Sequence, residues 1–87
     1  MSELIKNEWK NDGIRLTRRY IFPNFVTALA FANKIGEYAE KKQHHPDIEL
    51  GWGYCAVSWS THDAGALTDK DIEMSKESDT LFESENA

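Results

Sequence analysis

The period of the apolar residues changes once, at Pro23-Asn24, and that change limits what the chain can fold into more than any other feature. Before it, Ile14, Leu16, Arg18, Tyr20 and Phe22 alternate with Arg15, Thr17, Arg19 and Ile21. Successive side chains of a strand point to opposite faces, so a period of two predicts a half-buried strand. Asn11-Asp12-Gly13 supplies turn residues that tolerate left-handed backbone, so Trp9 to Phe22 predicts a hairpin. After it, from Phe25 to about Lys42, the period becomes helical. Phe25, Ala28, Leu29, Ala32, Ile35 and Ala39 share one face, while Asn33, Lys34, Glu37, Glu40 and Lys41 fall largely elsewhere. Asn24 is placed to cap this helix by accepting a backbone N–H. Pro46 disfavours helical geometry at His45 and should stop the helix before it.

The second half repeats the alternation. Ile48-Glu49-Leu50 and Cys55-Ala56-Val57-Ser58-Trp59 predict two strands, with Gly51-Trp52-Gly53 as a tight turn between them. Thr61 to Ala66 reads as a loop. Thr68-Asp69-Lys70-Asp71 resembles a capping box with Asp in place of Glu, and Leu67 and Ile72 occupy hydrophobic-staple positions. A last helix is expected from here to about Phe82. Residues 1–8 read as an arm or short helix, and residues 83–87 as a fraying tail. The expectation is one α+β domain over residues 1–87, in the order α-β-β-α-β-β-α. Its four-stranded antiparallel sheet should carry the helices on one face. A chain of 87 residues makes a small core, burying only about 60% of its unfolded surface, so self-association would add stability.

Several function classes are disfavoured. No run of about 18 apolar residues exists to span a membrane. Met1-Ser2-Glu3-Leu4-Ile5-Lys6 lacks an apolar targeting core, which points to the cytoplasm. The single cysteine, Cys55, suits a reducing compartment, and its apolar neighbours mark it as a buried small hydrophobe rather than a nucleophile. Net charge is −5 and no basic stripe stands out. Arg15, Arg18 and Arg19 read as a solvated strand face, so direct nucleic-acid binding is not expected. There is no nucleophile-elbow motif and no phosphate-cradling glycine loop.

Chemistry concentrates around the histidines. His44 and His45 lie where the long helix gives way to extended chain, and His62 opens the loop after the fourth strand. If the second hairpin lies beside the helix, all three can meet at one edge of the sheet. Imidazoles both give and take protons near neutrality. Three readings stay open on pattern alone: unrelated loop histidines, a zinc site, or a metal-free proton-transfer site. Adjacent histidines diverge unless the backbone turns sharply, which weakens the zinc reading. Asp71 has a structural role as the third residue of the last helix, and a compatible one in orienting a histidine. Glu40 is either a solvated charge or a carboxylate facing the cluster. Trp9, Trp52 and Trp59 are either core or a stacking wall for a flat heterocycle.

Glu40-Lys41-Lys42-Gln43-His44-His45-Pro46-Asp47, Trp52-Gly53-Tyr54, Thr61-His62, Ala66-Leu67-Thr68 and Asp71 occur in this order. His62 lies 17 positions after His45, and Asp71 nine after His62. The set resembles the pterin-4a-carbinolamine dehydratases, over roughly Trp9 to Lys76. Two departures are a shorter N-terminal helix and Gly65-Ala66-Leu67 in place of the usual Gly-Gly-Leu or Ala-Gly-Leu. The resemblance implies the α+β fold above, a homodimer or homotetramer, and a small-molecule pterin substrate without metal or organic cofactor. The implied reaction is dehydration of 4a-hydroxytetrahydrobiopterin to quinonoid dihydrobiopterin. By the same resemblance, His44 and His62 are the acid–base pair, His45 binds and polarises substrate, and Asp71 supports a histidine. Glu40, Pro46, Thr61 and Asp63 would complete the pocket. The alternative implied is a non-enzymatic dimerisation or assembly module of the same fold.

Overall fold

The computed structural model describes residues 8–61 and 64–85. Its elements are β1 (Lys10–Asn11), β2 (Arg15–Ile21), α1 (Phe25–Lys42), β3 (Asp47–Gly51), β4 (Tyr54–Ser60) and α2 (Asp69–Glu85). The strands form one antiparallel sheet in the order β1-β2-β4-β3. The α+β class is as expected. The arm or helix foreseen over residues 1–8 falls almost wholly outside the described residues. α2 runs on to Glu85, past the foreseen end at Phe82, because Glu83-Ser84-Glu85 contains neither Gly nor Pro to interrupt it.

The first hairpin is lopsided. β1 pairs with β2 through only Lys10↔Thr17 and Asn11↔Leu16. Its turn is held by side chains: Asn11 Oδ1 accepts from the Gly13 N–H at 2.9 Å, and Asp12 Oδ1 from the N–H groups of Ile14 and Arg15 at 2.9 and 2.8 Å. Gly13, at φ +88°, takes the left-handed position that such a turn needs. β2 then pairs along its full length with β4, from Arg15↔Ser60 to Ile21↔Tyr54. This register puts Leu16, Tyr20, Cys55, Val57 and Trp59 in the core. Both helices pack on this face, α1 against β3 and β4, α2 against β2 and β4.

The stripe of α1 that meets the sheet differs from the expected one. Ala28, Phe31, Ile35 and Ala39 are buried, whereas Phe25 and Leu29 remain about 40% exposed (41% and 39%). Phe31 was absent from the predicted stripe. The sheet selects it because its ring meets Tyr20 at 4.6 Å, Phe22 at 5.4 Å and Phe82 at 5.9 Å between centroids. Such tilted and edge contacts add to the area each ring buries.

The three arginines of β2 do not share a solvated face. Arg18 lies on the core side, where its Nη1 reaches Asp79 Oδ1 of α2 at 2.6 Å. The same carboxylate accepts from Tyr20 Oη–H at 2.7 Å and from Trp9 Nε1–H at 3.0 and 3.2 Å. Burial first, and then the adjacent Asp79 anion, push the Tyr20 hydroxyl far above the ordinary phenol range, so it stays a donor. Arg15 and Arg19 point to the opposite face, with the Arg19 guanidinium 3.8 Å from the centre of the Tyr54 ring. Cys55 is fully buried, and burial pushes its thiol up to about 11, as befits a small hydrophobe.

Candidate active site

The end of α1 aims the histidines. Gln43 adopts the left-handed conformation (φ 53°, ψ 44°). The His44 N–H then reaches the Ala39 carbonyl at 3.1 Å, the six-residue closure of a Schellman motif. The Gln43 side-chain amide donates to the Glu40 carbonyl at 2.7 Å and steadies this turn. The chain leaves the helix sharply, and Pro46 carries it into β3. Sequence reasoning placed the stop before Pro46 but did not foresee that Gln43 makes it. A left-handed residue is usually Gly or Asn, so composition carried no signal.

His44 and His45 diverge to two different carboxylates. His44 Nε2 lies 2.7 Å from Asp71 Oδ1, and His45 Nε2 lies 2.5 Å from Glu40 Oε2. A carboxylate can only accept, so each Nε2 carries a proton, and in the neutral ring Nδ1 is the unprotonated nitrogen. The two pairs differ in setting. The His44–Asp71 side chains are 12% and 0% exposed, the His45–Glu40 side chains 54% and 72%. Glu40 is therefore both a solvated charge and a histidine partner. The His44 ring also lies parallel to the buried Trp59 indole, centroids 6.0 Å apart. Trp59 is fixed in turn by its Nε1–H on Ser78 Oγ at 2.9 Å.

Asp71 fills both roles foreseen for it, one per oxygen. Oδ2 accepts the Thr68 backbone N–H at 3.1 Å, the return bond of the capping box, while Oδ1 faces His44. Oδ2 also accepts the Thr61 hydroxyl at 2.7 Å, and Thr61 Oγ1 lies 2.9 Å from Thr68 Oγ1. Burial raises the carboxyl's pKa. The hydrogen bonds from Thr61, His44 and the Thr68 N–H, with the attraction of His44, outweigh it and hold Asp71 below its ordinary value. Leu67 and Ile72, the expected staple pair, are half-buried and pack against the core.

A shallow cavity of about 350 Å³ opens over these groups, lined by Gln43, His44, His45, Pro46, Asp47, Ser60 and Thr61. That is within the range of small-molecule sites. A larger groove of about 940 Å³ lies between α1 and α2, beside Tyr38, Lys42 and Glu73. It contains no histidine. A groove of about 490 Å³ beside α1 is lined by Glu40, His45 and Pro46 but not by His44. Of these three, the 350 Å³ cavity is the one that brings His44 and His45 together. Of the foreseen site residues, His44, His45, Pro46 and Thr61 line this cavity. Glu40 and Asp71 stand behind its histidines. His62 and Asp63 lie outside the described residues. Among the described residues, no three His, Cys, Asp or Glu side chains group as metal ligands would. The tryptophans make no common wall: Trp9 and Trp59 are core, and Trp52 is 73% exposed at the β3–β4 turn. No described helix is long and apolar enough to cross a membrane.

Comparison with known proteins bears on the family and the fold. The sequence profile of the family described as pterin 4 alpha carbinolamine dehydratase matches residues 1–81. A protein of Methylococcus capsulatus is 45% identical over 74 residues, 85% of this chain and 65% of its own. One of Microcystis aeruginosa is 45% identical over 73 residues, 84% of this chain and 63% of its own. Both carry pterin-4-alpha-carbinolamine dehydratase as a provisional name. The chain thus spans a little under two thirds of these relatives' length. Among solved structures, a transcriptional coactivator/pterin dehydratase from Brucella melitensis superposes with a TM-score of 0.79 at 28% identity, covering 86% of this chain and 82% of its own. A pterin dehydratase-like protein described as a RuBisCO assembly factor of the alpha-carboxysome superposes with a TM-score of 0.73 at 20% identity, covering 86% and 89%, which shows a shared fold. By its matched profile, its relatives and its fold, this chain belongs to the pterin 4 alpha carbinolamine dehydratase family.

Proposed function

We propose that this protein dehydrates 4a-hydroxytetrahydrobiopterin to quinonoid dihydrobiopterin and water, as a hydro-lyase in pterin recycling. The observation that carries the reading is His44, held by the buried, ionised Asp71 at the wall of a cavity that His45 also lines. In the reaction the C4a–O bond breaks. The departing hydroxyl takes up a proton and leaves as water, a ring N–H gives up its proton, and the freed electron pair forms the C=N bond. A donor and an acceptor of protons suffice. His44 and His62 are proposed as that pair, and the Asp71 carboxylate stabilises His44 whenever it is charged. His45, with Glu40 behind it, binds and polarises the substrate, and Pro46, Thr61 and Asp63 shape its surroundings. The protein is proposed to act in the cytoplasm as a homodimer or homotetramer, without a cofactor.

The test is the decay of 4a-hydroxytetrahydropterin, generated in place and followed by absorbance. Wild type should accelerate it, and His44→Ala or His62→Ala should each remove most of the acceleration. A wild-type rate equal to the uncatalysed one refutes the enzyme reading and favours a non-enzymatic dimerisation or assembly module.

A further inference from the structure

Thr61 has a single hydroxyl proton, and the geometry spends it on Asp71 Oδ2, 2.7 Å away. Its contact with Thr68 Oγ1 at 2.9 Å must then be one in which Thr68 donates. The hydroxyls thus form a directed chain, Thr68 to Thr61 to Asp71, and it ends on the carboxylate oxygen that does not touch His44. The Thr68 backbone N–H, at 3.1 Å, lands on the same oxygen. Asp71 is fully buried, so no solvent competes for it. A carboxylate can swing about its terminal torsion. With donors on Oδ2 from both β4's end and α2's start, this one is fixed with Oδ1 toward His44.

We propose that Thr61 is a positioning residue, whose hydroxyl reserves Asp71 Oδ1 for His44 and thereby fixes that imidazole with its proton on Nε2 and Nδ1 as the free nitrogen. This goes beyond the pocket-shaping role given to Thr61 by resemblance. The consequence for turnover rests on the acid–base reading of His44; the consequence for the tautomer does not. Without the Thr61 hydroxyl, Oδ2 keeps, among the described residues, the Thr68 groups, of which the hydroxyl lies at 3.4 Å. The carboxylate can then turn, and His44 can exchange its proton between the two nitrogens.

The experiment compares wild type with Thr61→Val, Thr61→Ala, Thr61→Ser and Thr68→Val, each first shown to fold by circular dichroism. Nitrogen NMR reads the His44 tautomer in the neutral form of the ring. The dehydration assay reads kcat and KM separately. Thr61→Val and Thr61→Ala should both show mixed tautomers and lose about 10-fold in kcat, the lower end for outer partners of catalytic groups, with KM within about 2-fold. Thr61→Ser should restore both readouts. Thr68→Val, which keeps its backbone N–H on Asp71, should be the milder change. A wild-type tautomer in both Thr61→Val and Thr61→Ala overturns the proposal, as does a Thr61→Ser variant no better than Thr61→Ala. If wild type shows no dehydration, the enzyme reading fails by itself, and the tautomer still decides the role of Thr61.

Discussion

Replacing Asp79 with Ala should be strongly destabilising. Three donors converge on that carboxylate: the Arg18 guanidinium at 2.6 Å, the Tyr20 hydroxyl at 2.7 Å and the Trp9 indole N–H at 3.0 Å. The Arg18 and Asp79 side chains are 14% and 7% exposed, and Trp9 and Tyr20 are 6% and 1% exposed. Breaking a buried ion pair from one side costs about 3–5 kcal/mol, because the remaining charge is left without a partner. Arg18 retains a cation–π contact with Tyr20 at 4.4 Å and some access to water, which favours the lower end. The buried Tyr20 and Trp9 donors also lose their acceptor, so a loss of about 4–5 kcal/mol is expected, against a total of roughly 4–13 kcal/mol for a domain this size. Asp79→Asn keeps an acceptor but not the charge, and should cost about 1.5–3 kcal/mol. Urea unfolding followed by tryptophan fluorescence gives both values. The double variant Arg18→Met/Asp79→Leu should recover only the ion-pair part of the loss, since apolar groups can replace a buried ion pair but the buried Tyr20 hydroxyl and Trp9 N–H still lack their acceptor. A loss under about 1 kcal/mol in Asp79→Ala, with an unchanged dependence on urea, would refute the reasoning.

Three further outcomes are expected. Phe31→Ala should cost about 3–5 kcal/mol in the same urea titration, whereas Leu29→Ala on the outer stripe should cost under about 1 kcal/mol; equal losses would mean that α1 faces the sheet differently. Asp71 is held below its ordinary value of 3.8 in the folded state. Its ionised form therefore stabilises the fold above that value, and the contribution is lost as pH falls through the lower folded-state value. Thermal melts between about pH 2 and 5 should show a drop in wild type that is shallower in Asp71→Asn; identical slopes would contradict it. Cys55, with its thiol pushed up to about 11 by burial, should resist a thiol reagent at neutral pH in the native state and react readily in urea. Fast native labelling would show that the core opens there.

Much of the site was legible because its signals are local. Asn24 caps α1 with Oδ1 on the Thr27 N–H at 2.9 Å, as its place before the helical period implies. Thr68 and Asp71 make the capping bond that their spacing foretells. His44, His45 and Pro46 lie just past the end of α1, since Pro46 disfavours helical geometry at His45 and the left-handed Gln43 closes the helix before it. Thr61 and Trp59 were less legible. Their relation to Asp71 and His44 is set by how β4 runs past α2, and sequence spacing alone does not carry that distance. His44–Asp71 spans 27 positions, and nothing in either segment names the other as its partner.

The sequence by itself determined the type and order of the strands and helices, because periods of two and 3.6 and the capping residues act over a few positions. Only the tertiary structure decided which way amphipathic surfaces turned. α1 offers two overlapping apolar stripes, and the aromatic cluster at Tyr20 and Phe82 selects the one with Phe31. β2 places Arg18 on its inner face, a position that is stable only because Asp79, from a helix 61 positions away, meets it there. Burial of a charge depends on a partner in space, and a partner in space is a property of packing rather than of local pattern.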